Sequence, residues 1–394
     1  MVTDQPGLTA LCATLRETAR FAYDTEFIGE LSYYPKLCLI QVATETEVTL
    51  IDPFGEIDLT EFWELLADPA VEKILHAGQQ DLEPVVRLLD REAANIFDTQ
   101  IYAGFATLAY PTSLLKMVGE LVNVSLGKAL TFTHWDARPL SDVHQRYAAD
   151  DVRYLHAIRA AILDRLDHDE HAAWAREECE LLCAKEQYIF DPALRWQRVR
   201  GGRNLNPRQI AILKELVVVR DGAAREHDVP PRTMIRDEVL VALAKHPVKT
   251  VDQLAQVRGL PRPVEHAYGA AIVKAIEIAK SRPASALPAQ SSVEESTQEK
   301  RQIDSLWSVV TAFCHGRSID PALVGTRHDL AQCYRTLLAG ETLSDDKLLT
   351  GWRGALLGDM LRSFLAGSTG IALCWEGDRL RGSAAACTSD SDGG

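Results

Sequence analysis

Three strand-like runs follow one another early in the chain, at residues 20–27, 36–44 and 47–53, with only short connections between them. Antiparallel strands can be joined by tight loops, whereas a parallel pair needs a crossover of roughly a dozen residues or more. The three runs therefore predict antiparallel neighbours. Helical patterns then alternate with further strand-like runs near 71–77 and 95–98, the mark of crossover units. A mixed sheet flanked by helices is expected up to about residue 190, with 143–190 forming long helices rich in Ala, Leu, Arg and Glu.

The first run carries Phe21-Ala22-Tyr23-Asp24-Thr25-Glu26-Phe27. Alternate residues on a strand share a face, so Asp24 and Glu26 point the same way. Asp81 follows the run from Val71 to Leu75 and opens an apolar helical stretch. Asp151 lies on a long helix four residues after Tyr147, so the two share a helical face. Asp150 sits about 100° around that helix from Asp151 and shares no face with Tyr147. Converging carboxylates repel: one pair about 4 Å apart costs about 4 kcal/mol at an effective dielectric of roughly 20. A fold that collects four needs a compensating cation, and hard carboxylate oxygens suit magnesium or manganese rather than zinc.

Asp24-Thr25-Glu26-Phe27, His76-Ala77-Gly78-Gln79-Gln80-Asp81-Leu82 and Tyr147-Ala148-Ala149-Asp150-Asp151-Val152 resemble, in the same order, the three exonuclease motifs of ribonuclease D. Tyr33-Tyr34-Pro35-Lys36-Leu37-Cys38-Leu39-Ile40-Gln41, Ile51-Asp52-Pro53, Phe97-Asp98-Thr99-Gln100 and Arg138-Pro139-Leu140-Ser141 are similar to that family too. The resemblance implies a DEDDy-type 3′→5′ exonuclease domain of ribonuclease H-like fold over residues 1–190, working with two divalent cations, Mg2+ or Mn2+. It implies that Asp24 bridges both ions or comes closest to doing so, and that Glu26 and Asp151 hold the one that activates water. Asp24 and Asp81, the latter through bound water, would place the other near the leaving 3′ oxygen. Tyr147 replaces the histidine of a sister subgroup. A phenol with a pKa of about 10 is a poor base at neutral pH, so its expected role is to orient the water.

Residues 205–283 read as all-helical and resemble an HRDC domain, a small module that commonly binds nucleic acid. Residues 284–302 read as a flexible linker. Residues 303–383, marked by Leu348-Leu349-Thr350-Gly351-Trp352-Arg353, resemble a second, divergent HRDC-like helical domain, and 384–394 read as a disordered tail. The expected fold class is thus an α/β ribonuclease H-like exonuclease domain followed by two all-α HRDC-like domains.

The net charge of −14 does not exclude a nucleic-acid partner, because binding follows the local field. From Arg195 to Arg208 the chain has no acidic residue. Arg198, Arg200 and Arg203 are candidates for contact with an RNA backbone, against the alternative of a solvated linker. Phe27 reads either as a platform for the terminal base or as a core aromatic. His76 reads as a substrate contact or a hydrogen-bonded strand end, and Gln80 as a phosphate contact or a helix start. The resemblance implies a phosphate contact for Lys128. Asp98 reads as a helix N-cap and Trp352 as core. Ala129, Phe132 and His134 depart from the family pattern in a loop between the second and third motifs, which bears on substrate preference.

The expected activity is 3′→5′ exoribonuclease action that releases nucleoside 5′-monophosphates and trims the 3′ ends of tRNA precursors and other small structured RNAs. The competing readings are a DNA-directed 3′→5′ exonuclease and a non-catalytic RNA-binding scaffold. The intact set of Asp24, Glu26, Asp81, Tyr147 and Asp151 argues against the scaffold. No apolar run reaches the roughly 18 residues of a membrane helix, and Met1 to Pro6 shows no signal-peptide pattern. Eight cysteines lie scattered without paired CxxC spacing. A cytoplasmic monomer that binds RNA and no membrane is expected.

Overall fold

The computed structural model describes residues 1–29, 31–127, 134–288, 295–340, 346–377 and 379–386, apart from the side chains of Pro192, Ala193, Arg203, Arg379 and Ala386. Helix α1 (Gln5–Thr18) opens the chain, capped by the Asp4 carboxylate, which accepts from the Gly7 N–H at 2.9 Å. Strands β1 (Arg20–Ile28), β2 (Lys36–Ala43) and β3 (Val48–Ile51) follow. Then come α2 (Thr60–Leu66), β4 (Glu72–Leu75), α3 (Glu83–Leu89) and β5 (Ile96–Asp98). The sheet has the order β3-β2-β1-β4-β5. The pairs β1–β2 and β2–β3 are antiparallel, and β1–β4 and β4–β5 parallel. This is the expected mixed sheet: short loops join the antiparallel strands, and helices carry the chain between the parallel ones. β1 is the central strand, with Phe21, Ala22 and Tyr23 fully buried.

Helix α4 (Thr99–Ala103) follows β5, and α5 (Asp142–Arg153), α6 (Leu155–Leu163) and α7 (Asp169–Cys183) complete the catalytic body. Ser141 caps α5. The helix lies over β1, β2 and β3, and buries Ala148 and Val152 completely. Its polar edge is thereby aimed at the end of β1.

The next unit contains α8 (Pro207–Glu226), α9 (Asp237–Lys245) and α10 (Arg262–Ser281) around its own apolar core, from Trp196 to Ala279. Asn206 and Gln209 form a capping box at the start of α8. Arg208 donates to the carbonyls of Ala279, Lys280 and Arg282 at 3.1, 3.2 and 2.5 Å and so closes the end of α10.

The last unit contains α11 (Thr297–Gly316), α12 (Arg327–Leu338) and α13 (Asp359–Leu365). Helix α11 starts inside the expected linker 284–302, because Ser296 caps it by accepting from the Glu299 N–H at 3.1 Å; residues 289–294 of that linker lie outside the described residues. The unit is also not all-α. Strands β6 (Thr369–Glu376) and β7 (Arg379–Ala386) form an antiparallel hairpin, which takes in the first residues of the expected tail 384–394. The run Ile371-Ala372-Leu373-Cys374-Trp375 is short, continuously apolar and bounded by Gly370 and Glu376, as a strand can be, and Gly382 closely approaches Gly316 at the end of α11. A Cβ on Gly316 would come within 2.4 Å of the Gly382 nitrogen. Residues 387–394 lie outside the described residues.

This last unit and the catalytic body share one apolar core, running from Leu8 to Cys183 and from Ile303 to Leu361. Trp352 is buried at the seam, edge-on to Phe105 at 4.9 Å and stacked near Trp174 at 6.2 Å. Arg353 grips Glu178 with two hydrogen bonds of 2.7 and 2.8 Å. The reading of Trp352 as core therefore holds.

Candidate active site

Asp24 and Glu26 stand on the same face of β1, opposite Gln41 and Leu39 of β2. The ladder shifts register between Glu26 and Phe27. Such irregularities bend a strand and re-aim its side chains, and they gather beside active sites. Helix α5 brings Asp151 over this point. Carboxylate oxygens of Asp24, Glu26 and Asp151 lie within 4.8 Å of one another. Asp150 is not one of this trio and pairs with Arg153 at 3.0 Å.

Asp81 stands beside this trio. It lies in the turn before α3 rather than in the helix as expected, because Pro84 and the leading turn delay the helix to Glu83. The Thr25 hydroxyl donates to its carboxylate, and the Tyr23 hydroxyl donates to its backbone carbonyl at 2.9 Å. Asp98 fixes the preceding turn from a distance. It caps α4, and its carboxylate also accepts from the N–H groups of Ala77 and Gly78 at 3.2 and 2.9 Å. The N-cap reading of Asp98 holds, but its second task and the role of Thr25 were not read from the sequence. The Asp-Thr-Glu triplet could have signalled Thr25, since a hydroxyl flanked by two site carboxylates has few apolar reasons to be there.

Burial pushes all four carboxyls up, and mutual repulsion adds to it at Asp24 and Glu26. Glu26 rises to about 8, Asp151 to about 7 and Asp81 to about 6, while Asp24 lies well above its ordinary range. Among the described residues, the charged neighbours acting on Asp24, Glu26 and Asp151 are other carboxylates. A divalent cation fits this donor set: three hard oxygens are within reach of one point, and no protein cation competes for them among the described residues.

Tyr147 is half-buried beside Trp135, with ring centroids 6.1 Å apart, and desolvation followed by the nearby carboxylates raises its phenol above the ordinary value. It therefore keeps its proton at neutral pH. Next to Tyr147 and Asp151 opens a hollow of about 330 Å³ walled by Leu114, Leu115 and Val143 with Arg146 at its edge. The loop leading to α5 is tied down by Arg138, which holds Asp52 through two hydrogen bonds of 2.5 and 2.8 Å and donates to the Cys38 carbonyl at 2.7 Å.

The remaining candidates divide. Phe27 is half-buried and belongs to none of the three apolar clusters. Both His76 nitrogens are engaged by the protein, with the Thr99 hydroxyl at 2.9 Å and the Thr112 carbonyl at 3.1 Å. Gln80 is exposed in the turn before Asp81. Lys128 lies outside the described residues, and so does the side chain of Arg203. Arg200 is exposed, and its backbone N–H donates to Asp237 at 3.2 Å. Arg198 lines a cleft of about 440 Å³ between the catalytic body and the second unit, together with Arg195, Arg225, Arg232, Tyr33 and Tyr34. Tyr33 anchors that cleft by donating to Asp221 at 2.8 Å and accepting from Arg225 at 3.0 Å.

A central strand that pairs two carboxylates, a third from a crossing helix, a fourth beside them and a protonated tyrosine define a divalent-metal-dependent 3′→5′ exonuclease of the ribonuclease H-like class. The sequence profile of the 3′-5′ exonuclease family matches residues 1–167, and that of the HRDC domain matches residues 209–276. The chain is 33% identical over 362 residues to ribonuclease D of Gluconacetobacter diazotrophicus, covering 91% of each chain. It is 30% identical over 369 residues to ribonuclease D of Escherichia coli, covering 93% of this chain and 98% of that one. The crystal structure of Escherichia coli RNase D, described as an exoribonuclease involved in structured RNA processing, superposes with a TM-score of 0.78 at 30% identity, over 93% of this chain and 98% of that one. The chain belongs to the ribonuclease D family and is a 3′→5′ exoribonuclease.

Proposed function

We propose that this enzyme trims the 3′ ends of tRNA precursors and other small structured RNAs with two divalent cations, magnesium or manganese, and releases nucleoside 5′-monophosphates. The observation that carries the reading is the trio of Asp24, Glu26 and Asp151 within 4.8 Å, buried beside further carboxylates and lacking a counter-charge among the described residues. Asp24, Glu26 and Asp151 would hold the cations, and Asp81, already bonded to Thr25, would act through water. Cations bound there supply an activated water and neutralise charge on the phosphate.

The chain's own groups do the rest. Tyr147 retains its proton at Oη and orients the attacking water as a hydrogen-bonding group rather than a base. The apolar walls of Leu114, Leu115 and Val143 suit the face of a terminal base, and Arg146 suits a phosphate. Arg195 and Arg198 in the cleft suit the phosphates upstream of it. Seven described cysteines are free, which fits a reducing cytoplasm. We take the enzyme to act as a monomer. Purified protein given 3′-extended tRNA, single-stranded RNA or single-stranded DNA, with magnesium or manganese, tests the reading. Stepwise loss of 3′ nucleotides from the tRNA, abolished by Asp24→Asn while RNA binding in calcium persists, is expected. Preferential attack on DNA, or near-normal turnover of Asp24→Asn, would overturn it.

A further inference from the structure

Gln41 sits in the middle of β2, directly across from Asp24 on one side and Leu50 on the other. Directly opposed residues of antiparallel strands share a face, with Cβ atoms about 4.5–5.5 Å apart. Helix α5 covers this face, and Leu39, Leu50, Ala148 and Tyr147 form one apolar cluster there. Gln41 is 0% exposed, and neither its amide nitrogen nor its amide oxygen has a hydrogen-bond partner among the described residues. Buried polar side chains are nearly always partnered, so an amide with two idle ends needs a reason. Every other side chain of β2 beyond Lys36 is apolar. Leu50 can accept nothing. Asp24 is the cross-strand neighbour that can.

We propose that Gln41 is the positioning residue of Asp24: in the cation-loaded enzyme its side-chain N–H donates to the Asp24 carboxylate, directly or through one buried water. A neutral amide suits this place. It steadies a carboxylate without bringing a positive charge that would compete with a cation, as a lysine or arginine would. A bridging water would also satisfy the amide oxygen. The inference rests on the reading of the carboxylates as a metal centre, and groups that orient metal ligands in this way commonly alter metal affinity 10–100-fold when removed.

The test uses the full chain with Gln41→Leu and Gln41→Met, two apolar replacements of similar bulk. Manganese affinity is measured by titration calorimetry, and the melting temperature is measured without metal. Both variants are expected to bind manganese roughly 10–100-fold more weakly. Their metal-free melting temperatures should equal or exceed that of the wild type, because an apolar side chain replaces an uncompensated amide. Gln41→Asn, which keeps an amide, should fall between. Manganese affinities of the two apolar variants within about twofold of the wild type would overturn the inference alone. A wild type that takes up no manganese would overturn the metal-centre reading and this inference with it.

Discussion

At the scale of single residues, the site combines burial with no counter-charge among the described residues. For Glu26, Asp151 and Asp81 the folded chain binds the proton more tightly than the unfolded chain does, with values of about 8, 7 and 6. Their contribution to the stability of the metal-free protein is therefore complete below the ordinary carboxylate range and is lost as pH rises through those values. The metal-free melting temperature should fall between about pH 5 and pH 9, and manganese should reverse the fall near neutrality. If these carboxylates hold the cation they must lose protons to do so, and manganese affinity should rise with pH over the same window. Differential scanning fluorimetry with a chelator or with manganese follows both effects; flat profiles would contradict this account. Glu26→Gln should flatten the metal-free profile. Asp24, Glu26 and Asp151 were legible in the sequence because strand alternation and helical spacing fix their faces locally. The hold of Thr25 on Asp81 was not, because Asp98, far along the chain, shapes the turn that brings Asp81 there.

At the scale of elements, the loop that leaves β1 does two jobs. It ends the strand bearing Asp24 and Glu26, and through Tyr33 it clamps the second unit by way of Asp221 and Arg225. Glu83, two residues past Asp81, lines the same cleft, so its rim begins within about 7 Å of backbone from Asp81. If RNA follows this cleft, Arg195→Gln with Arg198→Gln should weaken binding in a way that grows with strand length. The loss should be slight for a dinucleotide and about tenfold or more for a strand of roughly ten nucleotides, with a shallower salt slope of about 0.7 per phosphate contact removed. Anisotropy in calcium across a salt series measures this, and a length-independent loss would count against the cleft. The sheet and its crossovers were readable because their periods are strong. The hairpin after α13 was not: residues 369–383 read with the helical unit and 384–386 with the tail, because the pairing depends on the approach of Gly382 to Gly316, distant in sequence.

At the scale of the whole molecule, the order of units along the chain is not their order in space. The middle unit folds around a core of its own, while the last helices complete the core of the catalytic body. A protein ended after residue 296 keeps Asp24, Glu26, Asp81, Tyr147 and Asp151, yet strips Phe105, Trp174 and Glu178 of Trp352 and Arg353. It should lose near-ultraviolet circular dichroism and hydrolysis together, and near-normal activity of the truncated protein would show that the seam is dispensable. Sequence patterning reveals each unit's own helices, but a seam is a match between surfaces distant in sequence, and no local period announces it.

That seam also sets a schedule. The ribosome releases the chain from its N-terminus, so Asp24, Glu26, Asp81, Tyr147 and Asp151 emerge long before Trp352 and Arg353. Until those two arrive, Phe105 has no indole to meet and the nuclease half is left open on one side. The truncated protein is a stand-in for that nascent chain. An enzyme that destroys RNA is thus assembled, beside the messenger and the tRNAs that make it, in an order that leaves its core open on one side until Trp352 and Arg353 have been added.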